Sequence, residues 1–227
     1  MKPPLTKRVT AEFLGTGLLV ATVVGSGVMA ERLAGGNVAL ALLANTIATG
    51  AALVALILTF APISGAHFNP VVSFADLMGG GLSWREALPY VLAQVMGGIG
   101  GAILAHAMFA LPLISLSRHV RSGPSQVLSE FVATFGLLCV IWGCVRSRTN
   151  AVPFAVGSYI TAAYWFTAST SFANPAVAIA RSLSDTFAGI RPTDVPWFVV
   201  AEFCGAIAAT LLFRWLIPES DTAQESV

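Results

Sequence analysis

The chain has 227 residues, of which 56% are hydrophobic and 10% charged, with mean hydropathy +0.80 and formal net charge +1. A soluble domain carries roughly 25% charged residues, so a water-soluble fold is excluded and the bilayer is the expected solvent. The near-neutral charge, with no basic run longer than a few residues, gives no case for a nucleic-acid partner. A spanning helix needs about 20 apolar residues, so this length accommodates about six spans with short loops.

In chain order, Lys2, Lys7 and Arg8 precede a first span over about Val9 to Ala30. That run is too long, and its Glu12 too polar, for a cleaved signal peptide. Glu31, Arg32 and Gly35-Gly36-Asn37 end it, and a second span covers about Val38 to Ala61. Then comes Ser64-Gly65-Ala66-His67-Phe68-Asn69-Pro70, a short apolar run to Met78, and Gly79-Gly80-Gly81. Asn is a good N-cap and Pro is favoured at the first helical position, so Asn69-Pro70 reads as a helix start. About ten residues cannot cross a bilayer, which makes this segment re-entrant. A third span covers about Glu86 to Phe109, with Gly97, Gly98, Gly100 and Gly101 allowing close helix approach.

A polar connection, Pro112 to Gln126, leads to a fourth span over about Val127 to Val145. A fifth, about Val152 to Ala168, runs into Ser169-Thr170-Ser171-Phe172-Ala173-Asn174-Pro175, and a second short run follows from Ala176 to about Leu183. The sixth span is about Trp197 to Ile217, and the polar tail beyond it is expected to fray. Trp84, Trp165, Trp197 and Trp215 sit near span ends as interfacial anchors. Cys139, Cys144 and Cys204 lie in apolar runs and read as small buried packing residues.

The chain repeats itself. Glu12-Phe13-Leu14-Gly15-Thr16 matches Glu130-Phe131-Val132-Ala133-Thr134, and Ala93-Gln94-Val95-Met96-Gly97 matches Ala201-Glu202-Phe203-Cys204-Gly205. Asn69-Pro70-Val71 and Asn174-Pro175-Ala176 correspond in the same order. The expectation is one all-α membrane domain over residues 1–227, with six transmembrane helices and two re-entrant half-helices. Repeat one spans about 9–110 and repeat two about 127–217. Three spans per repeat is odd, so the second repeat is inverted in the membrane. With the N-terminus inside, Lys and Arg divide seven inside to five outside, and the Lys2/Lys7/Arg8 group beside the first span places both termini in the cytoplasm of a multi-pass cell-membrane protein.

Two inverted half-helices point their N-termini at each other near the midplane. Each start carries about half a positive charge. A small polar molecule between them faces the Asn69 and Asn174 amides, while a cation meets an adverse field. The non-helical backbone at Gly65, Ala66, His67 and Phe68, and at Thr170, Ser171, Phe172 and Ala173, is tolerable at that depth only if it lines water. The result is a passive route for small uncharged solutes. Glu12 and Glu130 have two readings: acceptors for loop N–H groups, or a proton relay. Glu202 matches Gln94, which argues against a need for charge and for a packing or interface role. His67 reads as structural or pore-lining, and His106 and His119 have no spaced ligand partners, so no metal or other cofactor is expected. No nucleophile–base grouping appears, so the chain does not read as an enzyme.

On these residues the chain resembles the major intrinsic protein family, the aquaporins and aquaglyceroporins. Ser64-Gly65-Ala66-His67-Phe68-Asn69-Pro70 and Phe172-Ala173-Asn174-Pro175-Ala176 resemble its two signature loops, and Glu12 and Glu130 its paired buried acids. The resemblance implies a pore in each subunit and a homotetramer. The family's usual Ala in the first loop is replaced by Val71, and the filter Arg after the second motif by Val177. Counted as in the family, the other filter positions fall on Thr49, Ala162 and Ser171, none aromatic or charged. The filter is therefore expected to be wide and neutral, and open to glycerol, urea or undissociated metalloid acids such as arsenite as well as water. Arg181, four residues beyond Val177, lies on the same helical face and is either an outer-mouth cation or a loop-pairing arginine. The competing class is a proton-coupled secondary transporter of inverted-repeat type using Glu12 and Glu130.

Overall fold

The computed structural model describes residues 2–217; the polar tail expected to fray lies outside them. Eight α-helices appear among the described residues: α1 (Leu5–Leu33), α2 (Val38–Ser64), α3 (Pro70–Met78), α4 (Trp84–Met108), α5 (Pro124–Ser147), α6 (Val152–Phe166), α7 (Pro175–Arg181) and α8 (Val195–Leu216). Five of them are long and apolar enough to cross a membrane. The exception among the six expected spans is α6, whose 15 residues rise only about 22 Å. A 3₁₀ turn at Thr149–Ala151 leads into it. The two short helices are the re-entrant segments, and neither has the length to span.

Paired helices lock through glycine. A Cβ on Gly97 of α4 would lie 2.2 Å from the Phe13 carbonyl oxygen of α1, and one on Gly101 would lie 2.1 Å from that of Gly17. In the second half, a Cβ on Gly205 of α8 would lie 2.6 Å from the Phe131 carbonyl oxygen of α5. Phe131 is the repeat partner of Phe13, so both halves use the same backbone-to-backbone contact. Such approach is the main packing resource where lipid removes the hydrophobic drive between helices. Gly100 meets only the Phe13 ring edge at 4.0 Å and takes no part in this seam.

The ends of the described chain lie beside α3: Lys2 Nζ donates to the Gly81 carbonyl, and the Arg214 guanidinium to that of Met78. At the opposite end the connection after α4 folds back as a strap. Ser115 and Ser117 N–H groups donate to the Leu183 and Ser182 carbonyls, and the Arg121 N–H donates to Asp194. Trp84, Trp165, Trp197 and Trp215 are exposed on the outer surface. Cys139 and Cys144 are half-buried, but Cys204 is exposed. The buried role expected for Cys204 is thus corrected, because it lies on the side of α8 facing away from the neighbouring helices.

Candidate functional site

The site is built where α3 and α7 start. Both Asn caps have extended backbone, and their side-chain oxygens accept from their own helix: Asn69 Oδ1 from Val71 N at 3.1 Å, and Asn174 Oδ1 from Ala176 N at 3.0 Å and Val177 N at 3.3 Å. Each amide nitrogen then crosses to the other loop. Asn69 Nδ2 donates to the Ala173 carbonyl at 2.7 Å, and Asn174 Nδ2 to the Phe68 carbonyl at 2.8 Å. These reciprocal bonds tie the two half-helices tip to tip. Each NH₂ keeps a second N–H for a solute.

The loops before the caps are bent alike. Ala66 and Phe68 have φ of 52° and 51°, and their counterparts Ser171 and Ala173 have 50° and 47°; Thr170 is at 62°. Left-handed backbone costs an ordinary residue about 1–2 kcal/mol, so something must hold it. The holders are Glu12 and Glu130, both fully buried. Glu12 accepts from His67 N at 3.0 Å, Phe68 N at 2.6 Å, Ser64 Oγ at 2.6 Å and Gln94 Nε2 at 2.8 Å. Glu130 accepts from Phe172 N at 2.9 Å and Ala173 N at 2.7 Å. With the N–H groups pinned behind, the carbonyls of Gly65, Ala66 and His67, and of Thr170, Ser171 and Phe172, have no protein donor among the described residues.

A cavity of about 170 Å³ runs past this junction. One water needs roughly 10–15 Å³ of comparable space, so a file of several small molecules fits. Gly65, Ala66, His67, Phe68 and Asn69 line it from the first loop, and Ser171, Phe172, Ala173 and Asn174 from the second. Thr170 does not line it and lies instead beside Arg121. Pro70, Val71, Pro175 and Ala176 are buried behind as the helix starts, with Val71 and Ala176 at 0% exposure. At the α3 end, Asp76, Trp142 and Val145 line the mouth. There His67 Nδ1 is 3.1 Å from Ser73 Oγ, and its Nε2 is 3.9 Å from Asp76.

At the other end Thr49, Ser171 and Val177 share the cavity wall. The expected fourth filter residue, Ala162, does not. It is exposed in a shallow groove with Gly50, Ala51 and Gly157. The wall from α6 is Val156, Ile160 and Tyr164, spaced four apart on one helical face. Position 162 falls midway between two of these and therefore points away. The cavity wall at this end consequently has an aromatic member: Tyr164 is buried, and its hydroxyl lies 3.4 Å from Thr49 Oγ1. Ala162 is thus corrected as a residue of the cavity wall, and Tyr164 stands there from α6 instead.

Arg181 is 1% exposed and lines the same cavity as Val177. Its guanidinium carbon lies 3.4 Å from the Phe172 ring centroid, its Nε donates to the Ala188 carbonyl, and its Nη1 has no partner among the described residues. Arg121, which sequence reasoning did not single out, comes from the strap. It lies 5.1 Å from the same ring, and its Nη1 donates to the Ser169 carbonyl at 3.0 Å. Its position in a polar connection is the only sequence signal it carries. Neither arginine has a carboxylate ion pair among the described residues. Burial first, then the Arg121 and Arg181 charges, hold the nearby His119 imidazole below its ordinary range.

Glu202 is also corrected. It is fully buried and accepts from Asn174 N at 2.9 Å, so it supports the second cap and is no interface residue. His106 is buried between the Leu113 carbonyl and Ser184 Oγ, a structural role.

Comparison with known proteins agrees with this architecture. Over 213 residues the chain is 60% identical to the aquaglyceroporin AqpS of Rhizobium meliloti (strain 1021), covering 94% of this chain and 91% of that one. It is 30% identical to the probable aquaporin AqpM of Archaeoglobus fulgidus, covering 96% and 100%. The X-ray structure of the aquaglyceroporin from Plasmodium falciparum shares the fold, with a TM-score of 0.74 at 21% identity over 95% of this chain and 98% of that one. The profile of the family described as Major intrinsic protein matches residues 1–171. With paired Asn-capped half-helices, matched buried acids and this extent of similarity, the chain belongs to the major intrinsic protein family.

Proposed function

We propose that the chain is a passive membrane channel for water and small uncharged solutes, and that its filter passes molecules larger than water. The observation that carries this reading is the junction itself. Two amide donors and, apart from Thr170, the residues that carry the unpaired carbonyls line one cavity, so a neutral polar solute can exchange its hydration for protein hydrogen bonds along it. Glu12 and Glu130 do not line that cavity, and their oxygens are engaged by loop N–H groups. This disfavours the proton-coupled transporter.

The filter in this reading is the ring of Thr49, Tyr164, Ser171 and Val177. It offers the hydroxyl groups of Thr49, Tyr164 and Ser171 and, at Val177, no guanidinium; Ser171 Oγ is buried and has no partner among the described residues. Glycerol-like polyols, urea and undissociated metalloid acids such as arsenite match hydroxyl-rich walls of this kind. The relationship to an aquaglyceroporin supports water and glycerol within this range. The filter, loop and acid residues form one channel domain per chain. A homotetramer is the assembly the family implies, and the Lys2, Lys7 and Arg8 group beside α1 supports cytoplasmic termini in the cell membrane.

Stopped-flow light scattering on proteoliposomes tests this with a panel of water, glycerol, urea and undissociated arsenite. Non-saturating flux of water and at least one larger solute, indifferent to collapse of the proton gradient, is expected. Flux that saturates or stops when the gradient is removed would sink the channel reading.

Arg181 serves in this reading as the outer-mouth cation. Arg181→Leu is expected to raise sodium or proton leak about tenfold while neutral flux changes little, since a charge barrier near 1.4 kcal/mol is worth that factor. Ion leak unchanged from the unsubstituted channel would return Arg181 to a purely structural role.

A further inference from the structure

The two halves share one arrangement, with a single exchange of chemistry in it. In the first, Gln94 Nε2 donates to Glu12 Oε2 at 2.8 Å, and Glu12 holds the amides of His67 and Phe68. In the second, Glu130 holds the matched amides of Phe172 and Ala173, and the residue matched to Gln94 is Glu202. Glu202 Oε1 accepts from Asn174 N at 2.9 Å. The two acids hold successive amides of one loop, Ala173 N on Glu130 Oε2 and Asn174 N on Glu202 Oε1, which sets their carboxyl groups side by side. Glu202 Oε2 is buried and has no hydrogen-bond partner among the described residues.

Both acids are at 0% exposure. As two carboxylates they would repel each other in a dry site and leave Oε2 an unsatisfied acceptor facing another acceptor. Among the described residues no cation donates to either carboxyl group. Arg121 directs its guanidinium to the carbonyls of Gly189 and Ser169 and the hydroxyl of Thr170, and Arg181 directs its Nε to the Ala188 carbonyl. A single proton on Glu202 Oε2 removes the repulsion and supplies the missing donor. It also reproduces the N–H that Gln94 presents to Glu12.

We propose that Glu202 is a positioning residue held as the neutral carboxylic acid: its Oε2–H donates to Glu130, its Oε1 carries the Asn174 amide, and the pair shares one negative charge. Glu202 thereby orients the Asn174 cap, whose Nδ2 reaches the Phe68 carbonyl and whose other N–H faces the solute.

The test is infrared spectroscopy of the reconstituted protein at neutral pH, read at the carbonyl stretch of a protonated carboxyl group. The unsubstituted protein is expected to show that band, slow to shift in D₂O because the site is buried. Glu202→Gln is expected to lose the band and keep solute flux within about twofold, because an amide supplies the same donor and acceptor. Glu202→Leu is expected to lose both the band and about tenfold in flux, as one orphaned buried N–H implies. Absence of the band in the unsubstituted protein, its survival in Glu202→Gln, or equal loss of flux with Gln and Leu would each overturn the proposal. Should Glu202→Leu fail to fold, the band comparison between the unsubstituted protein and Glu202→Gln decides alone. The infrared result does not depend on what the pathway carries, so its failure is separable from failure of the channel reading.

Discussion

Val177→Arg is expected to cut glycerol and urea flux by about tenfold or more while water flux falls about twofold, differences near 1.4 and 0.4 kcal/mol in barrier height. Val177 sits at the cavity wall, 5% exposed, in the first turn of α7 with its N–H on Asn174 Oδ1. A guanidinium there enters a ring already containing Tyr164, Thr49 and Ser171. It narrows the passage and replaces an apolar side chain with a cationic fork of N–H donors. Arg181 lies four residues on, one helical turn away, so the new charge also meets a like charge at a spacing worth about 0.2–0.5 kcal/mol of repulsion. Part of the loss therefore comes from a less settled α7. Permeability ratios from proteoliposome swelling separate the two effects, since steric narrowing scales with solute size and a disordered α7 does not. Undiminished glycerol and urea flux in the variant would refute this account of the filter.

Glu12→Ala is expected to be the more damaging kind of change, acting on folding as well as flux. It strips the acceptor from the His67 and Phe68 amides, the Ser64 hydroxyl and the Gln94 amide at once. Each orphaned buried donor costs about 1–3 kcal/mol, so the two backbone amides alone account for roughly 2–6 kcal/mol. Total stability is typically about 5–15 kcal/mol. Low yield of folded protein and near-complete loss of conduction follow. Glu12→Gln should be milder without being silent. Its remaining oxygen can serve His67 N and Ser64 Oγ, but its NH₂ then faces Phe68 N and Gln94 Nε2, both donors. Folded protein with flux several-fold reduced is expected, measured as the yield of monodisperse detergent-solubilised protein and as proteoliposome permeability. If Gln is as harmful as Ala, the charge on Glu12 matters in its own right and the relay reading gains ground.

The parts of this molecule that were legible in the chain share a property: each is marked by a residue with unusual backbone chemistry or an expensive charge. Asn69-Pro70 and Asn174-Pro175 read as caps because Asn and Pro favour helix starts for local reasons. Glu12 and Glu130 stood out because an acid in an apolar span needs a partner. The glycines at Gly97, Gly98 and Gly101 marked close approach, and the structure has backbone contact at each. The placement of Ala162 and the role of Glu202 failed for a different reason. A soluble helix announces its buried face by polarity, whereas α6 is apolar on every side. Counting residues alone put Ala162 on the wrong flank and overlooked Tyr164.

Composition, repeat and caps thus determined by themselves that the chain is an all-helical membrane protein with two re-entrant half-helices. Those features depend on local preferences and on the cost of polar groups in lipid. Only the tertiary structure decided how the halves join: the crossed Asn69–Ala173 and Asn174–Phe68 bonds, Tyr164 beside Thr49 on the cavity wall, Arg121 reaching from the strap, Arg181 stacked beside the cavity, and Glu202 beneath Asn174. Each depends on the rotation of one packed helix or loop about another. Where both lipid and protein faces are apolar, the order of residues along the chain carries almost no record of that rotation.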